Sequence, residues 1–409
     1  MSPCRPPALY GILALCASLA LGSVAIAQPG PATAPPPREA GNKPAQVRTL
    51  RLPESPYRYA NIELPSHFKS RTVRDLDNTP RDNPITDWGA TLGRVLFYDT
   101  RLSANNTIAC ASCHQQKHAF SDPAGRFSKG YEGKPTDRNA MPLVEARFYE
   151  RGRFFWDERA RTLEDQVLMP IQNQVEMGQD LARLVEKLAH EPEYSELCKK
   201  AFGDSRVTRE RTAKALAQFV RSLVSYQSKY DEGVVQVRSR NDDFPNFTRQ
   251  ENRGKATFLQ RCASCHMPQQ QDAIFSSQRA QNNGLDADAK VADLGVADVT
   301  MDRNRVGHFK SPSLRNIEFT GPYMHDGRFA KLEDVIEHYS SGIKLHPTLD
   351  GRLAGPGRVA GGPPGRGGTQ ARGFRFTSQE KAELVAFLKT LSDQKFVTDP
   401  KFSDPFEAK

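Results

Sequence analysis

Beyond its first 27 residues, the 409-residue sequence contains no apolar run of membrane-spanning length. The alternation of apolar and polar residues that is typical of β-strands is scarce throughout. Apolar residues recur instead at helical spacing, as in Leu181, Leu184, Val185 and Leu188. The scarcity of strand patterns argues against a sheet-based protein, and the sequence predicts an all-α fold with room for two domains.

The amino terminus carries an apolar stretch from Ala8 to Ala27, preceded by the basic Arg5. It ends on Ala25-Ile26-Ala27, the small-x-small pattern that signal peptidase cleaves. We therefore expect residues 1–27 to be a signal peptide and the mature protein to be periplasmic, with an uncleaved membrane anchor as the alternative. Residues 28–56 are rich in Pro and Ala without periodicity, which predicts a disordered leader.

Cysteine is scarce, and four of the seven cysteines fall in one pentapeptide that occurs twice. The two copies are Cys110-Ala111-Ser112-Cys113-His114 and Cys262-Ala263-Ser264-Cys265-His266. Cys-x-x-Cys-His is the attachment pattern of c-type haem, with the histidine as a ligand of the iron. A redox-active cysteine pair or half of a zinc site is the alternative for a single copy. Two copies in an exported chain favour two haems. Cys198 lies in a helical segment and is predicted to be a buried small hydrophobe.

Helical segments lead into both motifs. Thr86-Asp87-Trp88 opens a helix before the first motif, and Thr248-Arg249-Gln250-Glu251 is a capping box before the second. Another helix is predicted over residues 208–229. A helix leading into Cys-x-x-Cys-His is how a cytochrome c domain begins. We therefore predict two cytochrome c-like domains with one haem each, at residues 57–240 and 241–409.

From about Leu92 to Leu391 the chain resembles the bacterial dihaem cytochrome c peroxidases and their MauG-like relatives. Besides the two haem motifs, the matching segments are Leu92-Gly93-Arg94-Val95-Leu96-Phe97-Tyr98-Asp99, Phe155-Trp156-Asp157-Glu158-Arg159, Pro312-Ser313-Leu314-Arg315-Asn316 and Pro322-Tyr323-Met324-His325-Asp326-Gly327. The resemblance implies that the two domains face one another. It also implies that hydrogen peroxide is split at the first haem, while the second haem exchanges electrons with an external protein, such as a cytochrome c or a cupredoxin.

Splitting an O–O bond at haem iron requires an open coordination position and nearby groups that move a proton. Glu176 and Gln166 are the candidates for these groups. They stand 20 and 10 residues after Trp156, with Pro170 between them, and the resemblance implies that this is the distal pocket. A surface carboxylate at a helix start is the alternative for Glu176. For Trp156 the default is a core aromatic, whereas the resemblance implies an electron relay between the haems.

Two departures from the peroxidase pattern bear on function. The loop Ser121–Pro142 contains no histidine, although many dihaem peroxidases have a removable histidine ligand there. We therefore expect the first haem to be open without reductive activation. The position matching the axial methionine of the second haem is Tyr339, at the end of a short helix predicted from Leu332. A methionine ligand raises the haem potential, whereas tyrosine lowers it and is the MauG-like choice. Met324 and Met267 are alternative ligands.

The resemblance also implies a structural calcium ion between the domains, with Asn139, Thr320 and Pro322 at the matching positions. The leading functional hypothesis is an enzyme that reduces hydrogen peroxide with electrons from a small redox protein. One alternative is a MauG-like enzyme that oxidises side chains of a partner protein, and another is a plain dihaem electron carrier, which would have no use for Glu176. A homodimer is a further expectation, and no nucleic-acid partner is expected.

Overall fold

Helices account for almost all the secondary structure in the part of the chain that a computed structural model describes, which is residues 48–149, 152–267, 271–287, 293–355 and 371–408. The predicted signal peptide and the leader as far as residue 47 lie outside the described residues. Within those ranges no helix is both long and apolar enough to cross a membrane.

The strands are β1 (Arg48–Leu50) and β2 (Phe406–Ala408). The α-helices are α1 (Arg71–Arg74), α2 (Asp87–Tyr98), α3 (Cys110–Cys113), α4 (Leu163–Gln166), α5 (Met169–Gln172), α6 (Leu181–Ala189), α7 (Pro192–Phe202), α8 (Arg209–Ser222), α9 (Lys229–Val234), α10 (Arg249–Arg261), α11 (Ala263–His266), α12 (Val296–Thr300), α13 (Leu332–Glu337), α14 (Ser378–Lys389) and α15 (Gln394–Thr398). Short 3₁₀-helices span Ser66–Lys69, Thr100–Leu102, Gln116–His118, Ala146–Phe148, Arg303–Arg305, Ile317–Phe319 and Pro400–Phe402, and a π-helical turn spans His338–Gly342.

Helices α2 and α8 cross to form the core of the first half of the chain. The predicted start of α2 is confirmed, because the Thr86 hydroxyl accepts a hydrogen bond of 3.0 Å from the backbone N–H of Gly89. At the crossing, a Cβ on Gly93 would lie 2.0 Å from the carbonyl oxygen of Ala215, so the two backbones can approach this closely only at a glycine. Cys198 on α7 is buried in the same core, as predicted.

Helices α10 and α14 repeat this arrangement in the second half of the chain. The capping box is confirmed, because Thr248 Oγ1 accepts from the backbone N–H of Glu251 and the Glu251 carboxylate accepts from the backbone N–H of Thr248. At the crossing, a Cβ on Gly254 would lie 1.9 Å from the carbonyl oxygen of Glu383. In both halves, therefore, the helix that leads into a haem motif crosses a later helix at a glycine.

The two ends of the described chain meet on the first half. Strand β1 pairs antiparallel with β2, with Thr49 opposite Glu407. The disordered leader predicted over residues 28–56 is therefore wrong for Arg48–Leu50, because these residues form a strand with a partner at the other end of the chain. The rings of Phe396 and Phe402 pack 5.8 and 6.4 Å from the ring of Phe120. The last residues thus complete the core of the first half, although they were assigned to the second domain.

Helix α8 ends at Ser222, earlier than the predicted residue 229, because the following backbone bonds to the loop that carries Glu145. The carbonyl of Leu223 accepts from the backbone N–H of Glu145, and the N–H of Ser225 donates to Glu145 Oε1 at 2.9 Å. Glu145 Oε1 also lies 4.0 Å from Nε of the fully buried Arg315, whose guanidinium forms two 2.9 Å bonds with Asp231. Burial raises the pKa of Glu145 to about 8.

We expect the Glu145 carboxyl to lower the free energy of unfolding as the pH rises from about 5 to about 8. The carboxyl ionises near its ordinary pKa of 4.5 in the unfolded chain but only near 8 in the folded protein, so unfolding releases a proton in this window. The substitution Glu145→Gln should remove a slope of about 1 kcal/mol per pH unit, measured by chemical denaturation at several pH values. The exposed Glu232→Gln is the control, and an unchanged slope in Glu145→Gln would contradict the prediction.

Candidate functional site

A cavity of about 790 Å³ lies beside the first Cys-x-x-Cys-His motif. Its volume falls within the range of roughly 300–1,000 Å³ that is typical of ligand and cofactor pockets. The residues that the sequence analysis assigned to the first haem all line this cavity, namely Cys110, Cys113, His114, Trp156, Gln166, Pro170 and Glu176. Folding therefore brings the first motif together with Trp156 and with the segment from Gln166 to Glu176, which in the sequence were linked to the motif only by the family resemblance.

The first motif offers the donor set of a c-type haem. Cys110 and Cys113 are the ends of α3, and both are half-buried and form no disulfide with another described cysteine. Nδ1 of His114 lies 2.8 Å from the carbonyl oxygen of Phe120, so Nδ1 carries the proton and donates it. A hydrogen bond of this kind fixes the ring and leaves Nε2 as the free ligand atom. The two thiols and the oriented imidazole fit a covalently attached haem with an axial histidine.

Glu176 lies at the cavity wall on a turn that is held from two sides. Its backbone N–H donates to the carbonyl of Asn173, and its own carbonyl accepts a 2.9 Å bond from the N–H of Tyr131. Gly130 allows the loop Ser121–Pro142 to pack on this turn, because a Cβ there would lie 1.6 Å from the carbonyl oxygen of Val175. Burial raises the pKa of the Glu176 carboxyl. A carboxyl shifted in this direction is better suited to exchange protons near neutral pH.

Gln166 and Pro170 come from two short consecutive helices, α4 and α5. Thr162 caps α4, since its hydroxyl accepts a 3.0 Å bond from the backbone N–H of Asp165, and Gln166 ends that helix. Pro170 lies in the first turn of α5, where a backbone N–H would have no acceptor within the helix, so proline is tolerated there. The break between the helices allows both side chains to line the cavity.

Trp156 is buried between the cavity and the second half of the chain. Its indole N–H donates a 2.8 Å bond to the carbonyl of Asn139, and its own carbonyl accepts a 2.8 Å bond from the N–H of Lys310. The ring of His325 meets the indole edge-on, with 6.5 Å between the centroids. Trp156 is therefore in contact with both halves of the chain, as a relay between them would have to be.

His325 occupies in the second half the position that Trp156 occupies in the first. Each lies in a tight turn closed by an isolated antiparallel β-bridge, which joins Phe154 to Ala160 in the first half and Tyr323 to Phe329 in the second. The residues before them, Phe155 and Met324, have similar positive φ angles of 70° and 74°. His325 was not among the site residues predicted from the sequence. The sequence does contain a signal for this correspondence, because Trp156 and His325 are each followed by Asp one residue later and by Arg three residues later.

The second motif begins at the end of α10 and continues into α11. Burial lowers the pKa of His266 to about 4, so its imidazole is neutral and free to bind a metal at neutral pH. Nδ1 of His266 is buried and has no hydrogen-bond partner among the described residues, unlike Nδ1 of His114. The two histidines thus differ in the hydrogen bonding of Nδ1, and this difference would tune the properties of an iron bound at each Nε2.

Tyr339 lies in the π-helical turn His338–Gly342, not at the end of a single α-helix as predicted. The α-helix stops at Glu337, and the carbonyls of Tyr339 and Ser340 accept hydrogen bonds of 2.9 Å from the N–H groups of Phe374 and Arg375. In a continuing α-helix these two carbonyls would accept hydrogen bonds from N–H groups four residues later, but here they accept from the later segment instead. Such π-turns are frequent at functional sites.

The hydroxyl of Tyr339 is enclosed next to the second motif. Its pKa is raised to about 12, mainly by burial and in smaller part by the nearby thiols of Cys265 and Cys262. The amide N–H of Asn283 reaches both the Tyr339 oxygen, at 3.4 Å, and the sulfur of Met324, at 3.5 Å. Met267, the other alternative ligand, packs in the hydrophobic core directly after the motif. Asn283 therefore holds together two of the three residues proposed as the sixth ligand of the second haem.

Asn139 lies beside the turn that follows Pro322, because its backbone N–H donates a 2.8 Å bond to the carbonyl of His325. Its side-chain amide nitrogen donates to the carbonyl of Arg126, which leaves the amide oxygen as the atom it could offer to calcium. Nowhere in the described part of the chain do three or more His, Cys, Asp or Glu residues form a group suited to a metal ion. A calcium ion between Asn139, Thr320 and Pro322 would depend on amide and carbonyl oxygens.

The chain is similar to known di-haem peroxidases and MauG proteins. The family model of the di-haem cytochrome c peroxidases matches residues 88–238. The methylamine utilization protein MauG of Methylorubrum extorquens is 31% identical over 315 residues, which cover 76% of this chain and 80% of that protein. The cytochrome c551 peroxidase of Nitrosomonas europaea is 30% identical over 318 residues, covering 74% and 79%.

A solved structure resembles both the sequence and the fold. It is a MauG-like protein associated with microbial copper homeostasis, and it is 32% identical with a TM-score of 0.68, covering 84% of this chain and 99% of its own. Membership of a di-haem family implies two c-type haems, in agreement with the two motifs. The chain therefore belongs to the di-haem cytochrome c peroxidase family, whose members are haem oxidoreductases.

Proposed function

We propose that the protein is an exported, periplasmic enzyme with one haem at each Cys-x-x-Cys-His motif. It reduces hydrogen peroxide at the first haem, with electrons that enter through the second from a small redox protein such as a cytochrome c or a cupredoxin. The observation that carries this proposal is the cavity in which Glu176 and Gln166 accompany the first motif. A haem bound there supplies an iron that can exchange electrons with peroxide.

The side chains of the cavity account for the proton movements. Reduction of one hydrogen peroxide to two waters consumes two electrons and two protons. Glu176 accepts the proton of the peroxide oxygen that approaches the haem and returns it to the oxygen that leaves as water. The Gln166 amide orients the peroxide by hydrogen bonding, and Trp156 connects the cavity to the second half of the chain. A plain electron carrier would need neither Glu176 nor Gln166 in such a cavity.

A second candidate function is MauG-like oxidation of side chains on a partner protein. The observation that favours it is the enclosed Tyr339 hydroxyl next to Cys262 and Cys265. A phenolate oxygen on the second haem would stabilise its oxidised form, so that both haems could share oxidising equivalents through Trp156. The MauG relatives, which match at 31% and 32% identity, agree with this alternative.

The proposal includes two cytochrome c-like domains divided near residue 240, with the last residues of the chain returning to the first domain. The repeated crossing of α2 with α8 and of α10 with α14 supports this division. A calcium ion at Asn139, Thr320 and Pro322 would join the domains near Trp156, whose indole already bonds to the Asn139 carbonyl.

The test adds hydrogen peroxide to the fully oxidised protein, with and without reduced cytochrome c, and follows the absorbance of both haems. Rapid oxidation of two cytochromes per peroxide supports the peroxidase. A spectral change at both haems that persists in the absence of a donor supports the MauG-like enzyme, and no reaction with peroxide supports the carrier. The intact mass of the protein is measured first, because fewer than two retained haems would contradict all three.

A further inference from the structure

Lys310 is a buried cation in the wall of the first-haem cavity. Only 8% of its surface is exposed. Its ammonium group lies 4.0 Å from the ring centroid of Tyr149 and 5.0 Å from that of Phe154, and both rings also line the cavity. Within the described ranges, no carboxylate lies within ion-pair distance of this ammonium and no hydrogen-bond acceptor binds it.

A buried ammonium group without an anionic partner is costly, because burial removes its hydration. This cost is visible in Lys310, since burial lowers its pKa to about 8. The faces of the two rings offset only part of it. The carboxylate whose charge acts on Lys310 is that of Glu158, which accepts a hydrogen bond from the Tyr149 hydroxyl and lies 3.8 Å from Arg305. Among the described residues, therefore, Lys310 places a positive charge at the cavity wall without an ion-pair partner, and a bound anion could supply the matching negative charge.

The backbone fixes Lys310 at this place. Its N–H donates a 2.8 Å bond to the carbonyl of Trp156, so the lysine is tied to the aromatic residue between the two halves. The residues that follow, Ser311 and Ser313, also line the cavity. Lys310 belongs to the second half of the chain, whereas the motif of the first haem belongs to the first half.

We propose that the Lys310 ammonium binds a propionate carboxylate of the first haem and thereby raises the reduction potential of that haem. Haem carries two propionates, and these are anions that could pair with Lys310, which none of the described carboxylates approaches within ion-pair distance. A cation held at the edge of the haem disfavours the oxidised iron, which has one more positive charge than the reduced iron. The inference rests on the proposed function only in requiring a haem at the first motif.

The experiment titrates each haem of the purified two-haem protein by spectroelectrochemistry. In Lys310→Met, the ratio of reduced to oxidised first haem at a fixed potential should fall about tenfold, which is about 59 mV for one electron. The second haem should keep its potential, and Lys310→Arg should restore that of the first. Infrared difference spectra of protein with ¹³C-labelled propionates should show a carboxylate band that shifts in Lys310→Met and not in Lys310→Arg.

The controls separate this proposal from others. Lys199→Met removes a charge from an exposed lysine on α7 and should leave both potentials unchanged. Lys310→Gln provides a second neutral variant if Lys310→Met does not fold. Unchanged potential and propionate bands in the neutral variants would overturn the proposal, as would equal shifts of both haems. Failure of the proposed function would appear instead in the parent protein, as a missing haem or as no reaction with peroxide.

Discussion

The substitution Glu176→Gln should slow the reaction of the oxidised protein with hydrogen peroxide by about 10²-fold or more, because it removes the group that moves the proton. Glutamine keeps the size of the side chain, so haem content and the resting spectrum should not change. The measurement is stopped-flow absorbance at the haem bands under excess peroxide.

The pH dependence of the same reaction provides a second sign of this role. Glu176 must be ionised to accept a proton from peroxide, and burial raises its pKa. In the parent protein the rate should therefore increase as the pH rises through that shifted pKa, and this increase should be absent in Glu176→Gln. The exposed Glu186→Gln on α6 is the matched control and should behave like the parent. Parent-like kinetics in Glu176→Gln would assign the carboxyl to structure alone.

The substitution Tyr339→Met should raise the reduction potential of the second haem. Axial ligands span about 0.8 V in haem proteins, and exchange of a tyrosine oxygen for a methionine sulfur should use a substantial part of that range, on the order of a few hundred mV. The enclosed position of the hydroxyl next to Cys262 and Cys265 is the basis of the prediction. With a higher potential, the second haem should accept electrons faster from reduced cytochrome c, and any doubly oxidised state should be shorter-lived.

A companion variant, Tyr339→Phe, distinguishes ligation from packing. It removes the oxygen without supplying a sulfur, so a ligand role predicts a changed spectrum of the second haem in both variants. The raised potential of a methionine-bound haem should then appear in Tyr339→Met alone. If neither variant altered the spectrum or the potential, Tyr339 would only pack beside the haem. Met324, which shares the Asn283 amide with Tyr339, would then be the next ligand to test.

Local chemistry is the part of this protein that the sequence predicts well. The caps at Thr86 and Thr248 join groups three residues apart, so their hydrogen bonds can be predicted from neighbouring residues in the sequence. The haem motifs are equally local, because two thiols and an imidazole lie within five residues. The resemblance added Glu176, Gln166 and Trp156, which no local pattern distinguishes from surface or core residues.

Long-range contacts decided the rest, because burial and pairing depend on residues that are far apart in the chain. Arg48–Leu50 pairs with Phe406–Ala408, so these residues are a strand and not part of a disordered leader. Helix α8 ends earlier than predicted because the backbone of Leu223–Ser225 bonds to Glu145. Both Glu145 and Lys310 look like ordinary charged residues in the sequence. Only the tertiary structure gives Glu145 its raised pKa and places Lys310 at the cavity without a carboxylate partner among the described residues, since the free energy of a charge is determined by the groups that surround it.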